Sequence, residues 1–493
     1  MTKSTHQLFD VPCYLASAKT KAIKKNGLHV FVTKTKAELP ALLKKHGLES
    51  IAKQIDLKDS PEKFDIRLSE GHFFFLSLDK PTGSTHKELS SNDYSEARDK
   101  VGSLFVEIKK LKPSSFHLHF SKLNEDTLLG SLIGLEMAAY SFQEKNQLTA
   151  DCYATADGKA VAKKILTEAQ VTGKAVNISR HLVNLPPNVL YPQSFCDSTK
   201  SLFKGSGLQI EVWDDKRVEK EGLSLLTAVG QGSQYLPRLL KLSYRPKGKS
   251  KKAKYVFVGK GITFDTGGLD LKPSRFMRLM KKDMGGSASV MGLAYFVSQM
   301  KTKDSIDFYI ALAENSVGSR AFRPGDIYTS RKGHTVEIDN TDAEGRLALA
   351  DAITVALDES QPEILIDLAT LTGAGKVALG TEIASLFAND TGLCNKLMSA
   401  SQATGDWAWN LPLYDKYNSL FPSQCADFQN SAASGYGGAI TAALFLKKFV
   451  DCEKDTPKWA HFDIYGWKDG CDGPFDAAGG NGQSVQALAK FLS

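Results

Sequence analysis

The sequence predicts an α/β protein in two unequal parts: a small N-terminal α/β domain, and a larger α/β domain with a mostly parallel central sheet. Three observations carry this expectation. At 493 residues the chain exceeds what one ordinary core holds, so two domains are the default expectation and three the alternative. Beyond about residue 186, strand-like apolar runs alternate with helical periodicity, the pattern of a parallel sheet covered by helices. Two of those runs, Ile306 to Leu312 and Ile364 to Leu368, are almost continuously apolar, as strands covered on both faces are.

In chain order, residues 1–150 read as the smaller domain. Strand signals fall at His29–Val32, His72–Leu76 and Phe116–Phe120, the last two rich in aromatics. Helical patterns fall at Leu39–His46, Tyr94–Leu111 and Leu128–Phe142. His117 and His119 alternate with Phe116, Leu118 and Phe120, which places them on the opposite face of a strand, a structural position more than a metal site. Residues 151–185 read as a linking region: a polar stretch from Thr149 to Lys159, then a helix from Val161 to Val183 stopped by Pro186-Pro187. In the larger domain, residues 186–493, further strands are expected at Gln209–Trp213, Leu239–Tyr244 and Tyr255–Val258, with helices at Ser287–Met300 and Leu347–Leu357.

Composition narrows the class of protein. The apolar share of 42% and charged share of 24% are those of a soluble globular chain. A net charge of +7 is modest for this length and does not argue for nucleic acid as the primary partner. The basic stretch Lys247–Lys254 lacks interleaved aromatics and reads as a solvated turn tip. No run of about 18 apolar residues suggests a membrane span, and the opening stretch lacks the apolar segment of a secretory signal. Cys13, Cys152, Cys196, Cys394, Cys425, Cys452 and Cys471 are scattered, odd in number and without a C-x-x-C pair, which points to a reducing cytoplasm.

The chemistry gathers in three segments. In Asn340–Leu347 (NTDAEGRL), Asp342, Glu344 and Arg346 stand at alternate positions, so an extended backbone would project them together. Two adjacent carboxylates need a cation, a proton or an arginine between them. The octapeptide alone also fits a capped helix with an internal salt bridge. After the strand Tyr255–Val258 comes Gly259–Gly268 (GKGITFDTGG), with Lys260 and Asp265 among glycines and Lys272 shortly beyond; no phosphate-binding P-loop pattern is present. Asp283 follows eleven residues after Lys272, before a helix. Carboxylates converging at strand ends suit divalent cations, and two such ions about 3.5–4 Å apart can share a water and turn it into a nucleophile.

These segments, with Asp367–Ala374 and Gly438–Ala443 downstream, resemble the leucyl aminopeptidase family, the M17 cytosol aminopeptidases, from about Ser179 to the C-terminus. The resemblance implies a small N-terminal domain joined by a helix to a catalytic dimetal domain, usually in a homohexamer. It implies that Lys260, Asp265, Asp283, Asp342 and Glu344 ligate two divalent metals, Mn²⁺ or Zn²⁺. Lys272 would stay protonated and stabilise the oxyanion of the scissile carbonyl. Arg346 would hold a bicarbonate acting as general base, since a guanidinium cannot itself accept a proton. Met280, Thr370, Leu371, Gly373 and Ala439 would contact the substrate. The implied activity is release of N-terminal, leucine-like residues from peptides.

Departures are mild: Tyr465 stands where the family usually has alanine, the segment after Phe421 is atypical, and Arg275 and Arg278 make the loop before Asp283 unusually basic. An inactive relative would lack a ligand, Lys272 or Arg346, and all are present. A supplementary nucleic-acid-binding role, known for some bacterial relatives, rests on scattered lysines only.

Overall fold

The computed structural model describes residues 11, 27–54, 61–69, 71–78, 89, 91–148, 150–248 and 252–493. Cys13, most of the opening stretch, Thr149 and the tip of the basic turn at 249–251 lie outside them. The six described cysteines are free thiols.

The first sheet takes strands β1 (Gly27–Thr33), β2 (Lys63–Leu68), β3 (Gly71–Ser77), β4 (Ser115–Ser121), β5 (Asp151–Ala156) and β6 (Lys159–Ala160) in the order β2-β3-β1-β4-β5-β6. Its interior pairs are parallel, and its two outer pairs antiparallel. The polar stretch expected to tether the domains is therefore sheet: β5 pairs with β4 from Ser115↔Asp151 to Phe120↔Ala156, and the first sheet runs to residue 160. Its polarity misled because β5 alternates sides, Cys152 and Ala154 buried against exposed or half-buried neighbours.

Alternation also sorts the faces of this sheet. Val30, Val32, Leu118 and Phe120 pack against helices Asp93–Lys110 and Glu125–Ala139. The first of these begins with a capping box, Asn92 accepting from the Ser95 N–H while Ser95 Oγ accepts from the Asn92 N–H. The opposite face carries His29, Phe31, His117 and His119, stacked as a layer of rings. Helix Leu39–Lys45 covers part of it with Leu39, Leu42 and Leu43. His117 and His119 are thus on the face expected of them.

Helix Lys163–Asn184 links the two parts and ends before Pro186-Pro187. Its buried residues, Val176, Ile178 and Leu182 among them, belong to the same apolar core as the first sheet and helix Gly285–Met300. One continuous core therefore joins the domains.

The second sheet draws on β7 (Gln209–Trp213), β8 (Arg238–Tyr244), β9 (Tyr255–Asp265) and β10 (Ile306–Asn315). After the short β11 (Ile327–Thr329) and β12 (Thr335–Glu337) it adds β13 (Ile364–Ala369), β14 (Ala384–Ala388) and β15 (Ala408–Asn410). Beyond β16 (Phe428–Gln429), β17 (Lys458–Asp463) completes it, in the order β15-β14-β17-β13-β9-β10-β8-β7. The central strands β17, β13, β9 and β10 run parallel; β14 pairs antiparallel with β17 and parallel with β15, while β8 pairs antiparallel with both β10 and β7. Helix Gly285–Met300 covers one face, and helices Glu344–Ser360 and Gly438–Val450 the other.

Strand β9 is eleven residues long and includes Lys260 and Asp265, where a glycine loop was expected. Gly259 lies inside the strand because helix Gly285–Met300 crosses it closely: a Cβ there would sit 2.7 Å from Ser287 Cα.

Candidate active site

Strand direction assembles the site. Parallel β9 and β13 run side by side until β13 ends level with Lys260; β9 continues to Asp265, and Thr370 is the residue after β13. Asp283 follows the short turn Met280–Lys282 and precedes helix Gly285–Met300. Asp342 closes the loop before helix Glu344–Ser360, whose first residue is Glu344. The extended alternation expected for Asp342, Glu344 and Arg346 is not what brings the carboxylates together, because the last two are already helical. The loop is held instead by Asn430, one residue past β16, which pairs parallel with β12. Its Oδ1 accepts from the N–H groups of Asp339 and Asn340 at 2.9 and 3.1 Å, and its Nδ2 donates to the Asn340 carbonyl at 2.7 Å.

All five expected ligands converge. Lys260 Nζ, buried, lies 2.8 Å from Asp283 Oδ2 and 2.9 Å from Glu344 Oε1, and donates to the Thr370 carbonyl at 3.1 Å. Lys272 Nζ lies 2.9 Å from Asp265 Oδ2 and also pairs with Asp342. Asp265 Oδ1 accepts from the Gly267 N–H and from Asn315 Nδ2, both at 2.9 Å. Thr370 Oγ1 donates to Asp283 Oδ1 at 2.8 Å. The first helical turn must stay bare here, since a Cβ on Gly345 would collide with Cε and Nζ of Lys260.

The electrostatics follow from four carboxylates and two ammonium groups in a desolvated space. Burial, reinforced by the neighbouring carboxylates, pushes Asp265 well above the usual range; burial likewise raises Asp283 and Asp342. Glu344 goes the other way, because Lys260 and Lys272 outweigh its burial. Burial works against the charge of both lysines, yet the carboxylates hold each above an ordinary lysine.

The donor set fits divalent cations. Asp265, Asp342 and Glu344 each offer a carboxylate oxygen within 4.8 Å of the others, the only such group of three among the described residues. Glu344 Oε2 is buried without a hydrogen-bond partner, a lone pair left open for a cation.

Arg346 stands slightly apart. Its Nη1 donates to the Asn430 carbonyl at 2.9 Å, while Nε is shut off from solvent with no hydrogen-bond partner. Burial pushes its pKa down to about 10 against the pull of Glu344 and Asp463, so it stays a cation at neutral pH.

A cavity of about 800 Å³ opens onto the carboxylates. Met280, Thr370, Leu371 and Gly373 line it, as a substrate-contacting set would. Ala439 does not: it is buried in the core at the start of helix Gly438–Val450. Two lining residues went unnoticed in the sequence. Asp463, ending β17, accepts from the N–H groups of Leu371 and Thr372 at 2.9 and 3.1 Å and from Thr372 Oγ1 at 2.5 Å, so it holds the loop that carries Thr370. Lys282 is buried in the wall, where desolvation pushes it down to about 8. Asp463 follows an apolar strand with no spacing signal, and Lys282 was hidden beside its ligand-like neighbour. The departure at Tyr465 gave the one hint that this wall differs.

Comparison with known proteins agrees with this geometry. Residues 177–489 match the model of the cytosol aminopeptidase family, catalytic domain. A probable cytosol aminopeptidase of Bradyrhizobium sp. strain BTAi1 is 42% identical over 369 residues, 73% of this chain and 72% of that protein. Among solved structures, the cytosol aminopeptidase of Coxiella burnetii superposes with a TM-score of 0.79 at 30% identity, covering 97% of this chain and 98% of that one. The bottromycin maturation enzyme BotP, in complex with Mn, superposes with a TM-score of 0.80 at 28% identity, covering 94% and 98%.

Proposed function

The chain belongs to the cytosol aminopeptidase family and is an aminopeptidase, and from that premise we propose that it removes N-terminal residues from peptides with a pair of divalent metals. The observation that carries this is the convergence of Lys260, Asp265, Asp283, Asp342 and Glu344 beside Lys272 at the mouth of one cavity. Those five residues would hold the metals, and Mn²⁺ or Zn²⁺ suits the oxygen-rich set. The metals would supply Lewis-acid activation of water and of the scissile carbonyl.

The remaining work falls to the chain's own groups. Lys272 keeps its proton and points its charge into the cavity, where it would meet the oxyanion of the attacked carbonyl. Lys260 would ligate as a neutral amine, so loading the site takes a proton from it. Arg346 has a free buried N–H for an anion such as bicarbonate, which could receive the water's proton. Met280 and Leu371 give the cavity an apolar stretch suited to a leucine-like first side chain. Among the described residues no helix is long and apolar enough to cross a membrane, in keeping with relatives named for the cytosol. The homohexamer expected from the resemblance is checked by sedimentation.

The test is chelation, reloading with Mn²⁺ or Zn²⁺, and assay on Leu-p-nitroanilide. Activity should disappear and return with the metal; cleavage that survives complete chelation overturns the reading.

A further inference from the structure

One wall of the cavity carries cations with no carboxylate in direct contact, although Asp283 and Asp463 attract Lys282 from farther off. Lys282, only 7% exposed, lines it and donates through Nζ to the Tyr465 carbonyl at 3.0 Å. The same ammonium lies 4.4 Å from the centre of the Tyr465 ring. Lys376, on helix Gly373–Leu379, lies 4.3 Å from that ring centre and donates to the Tyr465 hydroxyl at 3.1 Å. Arg275, packed over Phe276, also lines the cavity. Among the described residues no carboxylate oxygen comes within 4.0 Å of any of these three cations. The contrast with Lys260 and Lys272 in the same cavity is direct, since each of those meets two carboxylates.

A buried ammonium whose only hydrogen bond goes to a carbonyl is costly, and two ammonium groups against one ring also repel each other. The ring face compensates in part. A carboxylate arriving with the substrate would compensate far more, through charge-assisted hydrogen bonds. Tyr465 sets the arrangement, its carbonyl meeting Lys282, its hydroxyl Lys376 and its ring both.

Resting on the aminopeptidase reading above, we propose that Lys282 and Lys376, bracketing Tyr465 in the cavity wall, select peptides that carry a carboxylate close to the scissile bond. That carboxylate comes either from an acidic first side chain or from the residue behind it, as a side chain or as the C-terminus of a dipeptide. Apolar Met280 and Leu371 still serve the rest of the substrate.

The experiment uses the metal-loaded enzyme and isosteric substrate pairs. Glu- against Gln-p-nitroanilide reads the first position; Leu-Glu-amide against Leu-Gln-amide, and Leu-Gly against Leu-Gly-amide, read the second. At least one pair should favour the carboxylate by about tenfold in kcat/KM, the scale of one charged hydrogen bond. That ratio should shrink towards one in Lys376→Ala and in Lys282→Met, and invert in Lys376→Glu. Lys376 is exposed, so its variants do not depend on repacking the wall. Ratios within twofold in all three pairs, with Leu-p-nitroanilide still cleaved, overturn the proposal alone. Failure of every substrate, Leu-p-nitroanilide included, overturns the aminopeptidase reading together with it.

Discussion

Two regions of this molecule bury ionisable groups in quantity, and they do so in opposite ways. At the ends of β9 and β13, carboxylates and lysines of opposite sign sit within hydrogen-bond distance of one another. On the other face of the first sheet, His29, His117 and His119 are buried in a layer of rings, with half-buried His46 against them. His29 Nδ1 lies 3.3 Å from His119 Nε2, and His119 Nδ1 lies 3.3 Å from Thr155 Oγ1. The first cluster sets each of its two lysines between two carboxylates, which leaves more carboxylates than ammonium groups. The second gives up its charge: burial, then His46, His29 and His117, push His119 down to about 2. An excess of converging carboxylates prepares a site for cations, while a neutral stack is packing that happens to be titratable.

The largest expected effect separates the regions by activity. Lys272→Met should lower kcat by about 10²–10³-fold, the cost of losing one oxyanion donor, and Asp342→Ala should abolish metal-dependent hydrolysis; His119→Phe should leave kcat unchanged. Steady-state kinetics on the metal-loaded proteins decides this.

A second difference concerns stability. Lys260→Met strands Asp283 and Glu344 without their partner and should cost the metal-free protein about 3–5 kcal/mol in urea unfolding. His119→Phe exchanges one buried ring for another and should cost less than about 1.5 kcal/mol. Equal losses would erase the distinction between paired charge and neutral packing.

Acid should act on the histidine layer. The folded pKa of His119 is depressed from 6.5 to about 2, so between those values the unfolded chain binds the extra proton. Stability from this residue is complete above pH 6.5 and is lost progressively as pH falls towards 2. Burial lowers His46 as well, which adds in the same direction. Hydrogen exchange of β1 and β4 amides at pH 7.5 and pH 5, corrected for intrinsic rates, should show lost protection at the lower pH, with or without Mn²⁺. The smallest effect lies outside both regions: Lys247→Ala, in the solvated turn, should change stability by no more than about 0.5 kcal/mol.

How much was legible differs between the regions for physical reasons. The site residues flank glycines and strand ends, where charge is conspicuous, and the structure brings Lys260, Asp265, Asp283, Asp342 and Glu344 together. The extent of β9 was misjudged because Gly259 and Gly261 look like a turn, although they answer to a crossing helix and a neighbouring strand. Asp463 and Asn430 act through backbone groups of distant loops, and no spacing in the chain announces such a partnership. The histidine layer showed only as alternation in one strand, since His29, His46 and His119 meet across elements far apart in sequence.

Gly345 contributes no charge and no hydrogen bond from a side chain, yet the missing atom there is what lets Lys260 reach its partners. The position is a keyhole. A single methyl group in Gly345→Ala would act as a wedge that displaces the end of the Lys260 side chain while no charged residue of the site was substituted. Inhibition by shape alone, with charge untouched, is the vulnerability this fold carries at its most polar point.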